Sequence, residues 1–147
     1  MRHDLTKRPL AALLAATLGL GLTGAARAAD LEVEVQGLAS TEGHLLVAVF
    51  ADAQNWLRKP VAVQRAAAAS AIAGKLTIQM SGLPEGALAL SIVHDLNGNG
   101  RLDMNPVGMP LEPFGFSNNA AGGFGPPSFE AAVLSTANGS RVAVKLN

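Results

Sequence analysis

Asp95, Asn97, Asn99 and Asp103 put oxygen-bearing side chains at positions one, three, five and nine of a short loop, with Gly100 at position six. That spacing matches the front of an EF-hand-type calcium loop, in which alternate side chains turn inward and a glycine allows the sharp bend. Arg101, at position seven, would contribute its backbone carbonyl. The closing bidentate acid is missing, because position twelve is Pro106, and Glu112 is the residue placed to supply that carboxylate from further along the chain. The loop's own charge is low, with two carboxylates set against Arg101. The same residues also suit a metal-free hairpin, with Asp95 and the asparagines making Asx-turns.

His94 directly precedes this loop, and Ser117-Asn118-Asn119 follows it. A hydrolase would use Ser117 as nucleophile and His94 as base, with Asp95 or Glu112 as orienting acid. The segment Gly115 to Asn119 lacks the closing glycine of a nucleophile elbow, and no strand–turn–helix context surrounds it. His94, Ser117, Asn118 and Asn119 are therefore read as ligand-binding or turn residues. His94 and His44 are the only histidines beyond the N-terminal segment, too few for a histidine-rich zinc or copper site. Trp56, the single tryptophan, suits either a sugar-stacking platform or a loop anchor. Asn138-Gly139-Ser140 matches a glycosylation sequon but reads here as a hairpin turn.

The chain begins with a basic segment (Arg2, Lys7, Arg8), an apolar run from Leu10 to Leu22, and the small-residue site Ala26-Arg27-Ala28. This is the pattern of a signal peptide cleaved after Ala28. The run is shorter than the roughly 20 residues that span a bilayer, so the expectation is an exported, periplasmic or secreted protein with no stable membrane span. No cysteine is present to carry a lipid or a disulfide. Of the 11 basic and 11 acidic residues, the first 28 positions hold four and one, leaving residues 29–147 with a net charge of −3. The remaining basic residues are scattered, which argues against nucleic-acid binding.

The elements that must position the loop are strands. Leu31, Val33 and Val35 alternate with polar residues, as do Leu76, Ile78 and Met80, and Val142, Val144 and Leu146. Gly43 to Phe50 is a more continuous apolar run, and Leu88, Leu90 and Ile92 lead directly into His94. Phe129 to Ser135 and Val61 to Arg65 are expected as further strands, and Ala66 to Ala73 as a loop or single helical turn. Leu83-Pro84-Glu85-Gly86 reads as a tight turn between two strands, and Asn138-Gly139 as the hairpin joining the last two. The fold class is all-β: one antiparallel β-sandwich of immunoglobulin-like or transthyretin-like type over residues 29–147. A long Gly/Pro/Asn-rich loop interrupts it between Asn105 and Ser128. Phe114, Phe116 and Phe124 are expected to pin that loop over the Asp95 loop.

From His94 onward the chain resembles the DUF2141 family of small exported bacterial proteins. The resemblance rests on His94 to Asp103, Gly108-Met109-Pro110, Glu112 to Asn119 and Phe124 to Glu130, with Gly43 to Phe50 and Leu83 to Gly86 upstream. Members often carry an aromatic residue where this chain has Ala87 to Leu90. The resemblance implies an exported β-sandwich and no particular reaction. Two expectations of different class follow. One is a non-catalytic binding or structural module, stabilised by calcium through residues 95–103 and serving an unidentified ligand or partner protein. The other is a small periplasmic hydrolase using His94, Glu112 and Ser117.

Overall fold

A computed structural model describes residues 28–136 and 140–147. The leader and the Asn138-Gly139 turn lie outside the described residues. Eight strands form two packed sheets: β1 (Ala28–Gln36), β2 (His44–Phe50), β3 (Ala62–Ala67), β4 (Lys75–Pro84), β5 (Gly86–Asp95), β6 (Phe114–Phe116), β7 (Val133–Thr136) and β8 (Ser140–Lys145). Among the described residues helix is confined to α1 (Phe129–Ala132) and two single 3-10 turns, at Ala68–Ser70 and Ser117–Asn119. Among the described residues no helix is long and apolar enough to cross a membrane.

The smaller sheet has the order β4-β1-β8. The larger runs β3-β2-β5, with β6 and β7 bonded to successive stretches of the far edge of β5. The alternating residues of β1 and β4 point inward as their period-two pattern requires. They meet Leu45, Val47 and Val49 of β2 and Leu88, Leu90 and Ile92 of β5 in one core, each of these nearly or fully buried. Burial of an aliphatic side chain of this size contributes about 1.5–3 kcal/mol, so this shared core fixes which face of β5 is inside.

Several expectations need correction. The pairings are antiparallel except one: β8 lies parallel to β1, with Val142 opposite Val33 and Val144 opposite Val35. The strands flanking Asn138-Gly139 therefore do not form a hairpin, since β7 bonds β5 in the other sheet. Leu83 to Gly86 does join two strands, but it carries the chain from one sheet to the other. Phe129 to Ser135 is only half a strand. Ser128 caps α1 by accepting a hydrogen bond from the Ala131 amide, and the extended chain resumes at Val133. Phe124 pins nothing, being fully exposed.

Candidate functional site

Strand β5 ends at Asp95, and its last two side chains are enclosed by loops from three directions. Residues 38–43 cross over the strand end, and Gly43 makes this possible: a Cβ there would stand 2.1 Å from the Asp95 carbonyl oxygen. His94 is buried and its Nε2 lies 2.8 Å from the Glu42 carbonyl, so the proton sits on Nε2. Its Nδ1 is the one buried side-chain polar atom without a hydrogen-bond partner among the described residues. Pro113 covers the other side, its carbonyl accepting from the His94 amide at 2.8 Å.

Asp95 is fully buried, and among the described residues no basic side chain forms an ion pair with it. Instead its Oδ1 accepts from the amides of Gly98 (2.8 Å) and Asn99 (3.1 Å), and its Oδ2 from the amide of Gly100 (2.8 Å). Bonds from N–H to a carboxylate are charge-assisted and about twice as strong as neutral ones, which makes the burial tolerable. Glu112 works in the same way at the loop's open side. It too is buried, with Oε1 accepting from the Leu96 amide (2.8 Å) and Oε2 from the Asp103 amide (3.1 Å). One carboxylate thus winds the loop and the other staples its two ends together.

Asp103 sits at the loop surface. Both oxygens accept from the Asn99 side-chain amide (2.8 and 2.9 Å), and Oδ2 also from that of Asn97 (2.6 Å). These bonds, Asn99 first and Asn97 second, hold its carboxyl below the ordinary 3.8, with the nearby Arg101 guanidinium adding to the effect. Arg101 Nε lies 3.6 Å from Asp103 Oδ1 and its side chain is mostly exposed. The amide oxygens of Asn97 and Asn99 accept from the backbone of Asn99 and Arg101, two residues on in each case.

The calcium spacing therefore brings Asp95, Asn97, Asn99, Asp103 and Glu112 together around one loop. A calcium ion, however, takes only oxygen ligands. Here both asparagines present Nδ2 donors to Asp103, and the oxygens of Asp95 and Glu112 are occupied by backbone N–H groups. As arranged, the donor set does not fit the ion. Among the described residues no three acidic or histidine side chains gather as a metal-binding group.

Ser117, Asn118 and Asn119 lie elsewhere. Ser117 is buried, its Oγ accepting from the Leu90 amide at 2.9 Å and donating to the Ala132 carbonyl. Asn118 donates to the carbonyl of Val133 (2.8 Å), and Asn119 Oδ1 accepts from the amide of Lys145 (2.8 Å). Both asparagines adopt left-handed backbone angles, φ 59° and 48°. Ser117 and Asn118 both bond residues 131–133, and Asn119 bonds β8. The register also separates Ser117 from His94. Ser117 bonds to Leu90, four residues before His94, a span of about 13 Å along a strand.

Trp56 packs edge-on to Phe50 and Phe129, at centroid distances of 5.0 and 6.0 Å, and near Phe116 at 5.8 Å. Its indole N–H donates to the Pro127 carbonyl at 2.8 Å. The ring is a loop anchor and does not form an open stacking platform. Sequence reasoning missed the short hairpin of residues 104–110, closed by the Met104–Pro110 bridge. Met104, Val107, Met109 and Leu111 stand exposed on it, and an unbroken absence of charge from Met104 to Leu111 was the signal. A shallow open groove lies at the same end of the sandwich, lined by Leu38, Ser40, Glu42, Ala71 and Gly74. It contains none of the candidate chemical residues.

A family model described as "Uncharacterized protein conserved in bacteria (DUF2141)" matches residues 33–144. The chain belongs to that family. No curated protein and no solved structure matches.

Proposed function

We propose that this member of the family is an exported, non-catalytic binding or structural module, an immunoglobulin-like or transthyretin-like sandwich that presents the rigid 95–112 loops at one end. The observation that carries this reading is the use of every candidate reactive oxygen inside the fold. Both oxygens of each carboxylate that flanks the loop accept from backbone amides, and the Ser117 hydroxyl is buried and bonded on both sides. The exposed hydrophobic hairpin of residues 104–111 is the surface such a module offers to a ligand or partner. Export rests on the leader pattern, and protein recovered outside the cytoplasm should begin at Ala29. Intact Met1 in a membrane fraction would overturn that part. Labelling of Ser117 by a fluorophosphonate serine-hydrolase probe would overturn the non-catalytic part, and none is expected.

A calcium-stabilised form of the same loop is the second reading, favoured by the convergence of four side chains at ligand spacing. It requires the Asn97 and Asn99 amides to rotate and present oxygen, and Arg101 to leave Asp103. Weak affinity of about 10⁻⁴ to 10⁻³ M would suffice outside a cell. At ten times the dissociation constant such binding adds about 1.4 kcal/mol, a rise of a few degrees in melting temperature. Superimposable melting curves with millimolar calcium and with chelator would remove this second reading and leave the first intact.

A further inference from the structure

Asn97-Gly98 and Asn99-Gly100 are adjacent copies of the dipeptide most open to spontaneous deamidation, because glycine offers no side chain to hinder attack by its backbone nitrogen. All four residues are exposed, so burial does not protect them. What they share is Asp95. Its Oδ1 accepts from the Gly98 amide and its Oδ2 from the Gly100 amide, both at 2.8 Å.

These are the two nitrogens that deamidation requires. In that reaction the Gly98 nitrogen bonds to Cγ of Asn97 while the Cγ–Nδ2 bond breaks. The side-chain nitrogen departs as ammonia with the proton that Gly98 gives up, and a water molecule then opens the succinimide to aspartate or isoaspartate. The same scheme applies to Asn99 and Gly100. An N–H directed into a buried carboxylate is turned away from its own preceding Cγ. The neighbouring negative charge also opposes loss of its proton.

We propose that Asp95 is a deamidation guard, with one carboxylate oxygen assigned to each Asn-Gly site. Its loss has a chemical consequence, since each conversion replaces an amide donor facing Asp103 with a like charge.

The test follows deamidation by peptide mapping of the folded protein at mildly alkaline pH, with fragment ions separating position 97 from position 99. In denaturant both sites should react like Asn138-Gly139, the same dipeptide elsewhere in the chain. In the native protein they should be slower by about ten- to hundredfold, the factor for breaking one charge-assisted hydrogen bond before reaction. Asp95→Asn leaves one acceptor oxygen and no charge, so one of the two sites should accelerate by the larger factor and the other by a smaller one. Asp103→Asn removes the partner of the asparagine side chains but not the guard, and should leave both sites slow. Native rates equal to denatured rates would overturn the proposal without any variant. Unchanged rates in Asp95→Asn, or equal acceleration at both sites while Trp56 fluorescence still reports a folded domain, would also overturn it.

Discussion

Residues 96–113 and residues 114–133 are both rich in glycine, proline and asparagine, yet they are held in opposite ways. In the first stretch the carboxylate of Glu112 is buried on the amides of Leu96 and Asp103, while Met104, Val107, Met109 and Leu111 are exposed. In the second, Phe116 and Ala132 are buried against Ala89, and Trp56, Phe114 and Phe129 pack on them. The difference lies in the aromatic rings. All of the rings downstream of the Asp95 loop fall in the second stretch. A segment without large apolar side chains that can reach the sheet is ordered by backbone N–H groups converging on buried anions. Irregular segments of similar composition can thus be built around either kind of centre.

Removing an aromatic should test this contrast most severely. Trp56→Ala takes away the ring shared by Phe50, Phe116 and Phe129 and orphans the Pro127 carbonyl. It should cost about 3 kcal/mol, read as a lowered midpoint in denaturant titrations followed by circular dichroism. Amide exchange at Gly98 and Gly100 should be unaffected below the transition. Coupled loss of protection there would show that the two stretches are one cooperative unit.

Ser117→Ala leaves the Leu90 amide and the Ala132 carbonyl unpaired in a buried setting, and about 2 kcal/mol of stability should go with them. Restoration by Ser117→Thr would be incomplete, because the added methyl has to find room in the buried site. A change below a few tenths of a kcal/mol would mean that water replaces the hydroxyl. Glu112→Gln is the corresponding change in the first stretch. It keeps one acceptor oxygen and turns the other into a donor facing an N–H, for a loss of about 1 kcal/mol. Faster amide exchange at Leu96 or Asp103, with little shift in the global midpoint, is the expected signature.

The smallest effect concerns acid. Hydrogen bonds from Asn99 and Asn97 depress the Asp103 carboxyl below its ordinary 3.8. Its contribution is therefore present above that value and is lost as pH falls through the lower folded-state value. NMR titration should place the Asp103 midpoint below the ordinary aspartate value of 3.8. A normal midpoint for Asp103 would mean that the asparagine amides face elsewhere in solution.

The strands were legible because alternation is a local property. The inward residues of β1 and β4 are those picked out by period two. Partner choice was not legible. Asn138-Gly139 and Leu83 to Gly86 both announce a change of direction, but neither says whether the next strand joins the same sheet or the opposite one. That choice is made by cores and edges distant in sequence. Phe129 was misread because a large ring favours a strand locally, whereas the Ser128 cap and the packing against Trp56 favour one turn of helix. At the candidate site, spacing put Asp95 and Glu112 forward as partners in one loop. It left unsaid that both carboxylates would be taken up by backbone amides, since only three-dimensional closure decides which partner an acid finds.

The parallel register of β8 beside β1 has a kinetic consequence. The first strand of the fold has two neighbours in its sheet, and one of them is the last strand of the chain. Contacts between such distant segments form slowly, because a long loop must close before any bond is gained. A chain emerging N-terminus first can pair β1 with β4 but cannot finish the smaller sheet until residues 140–145 have also emerged. Sealing of the sandwich is thereby deferred until β8 is available, and one edge of β1 stays unpaired until then.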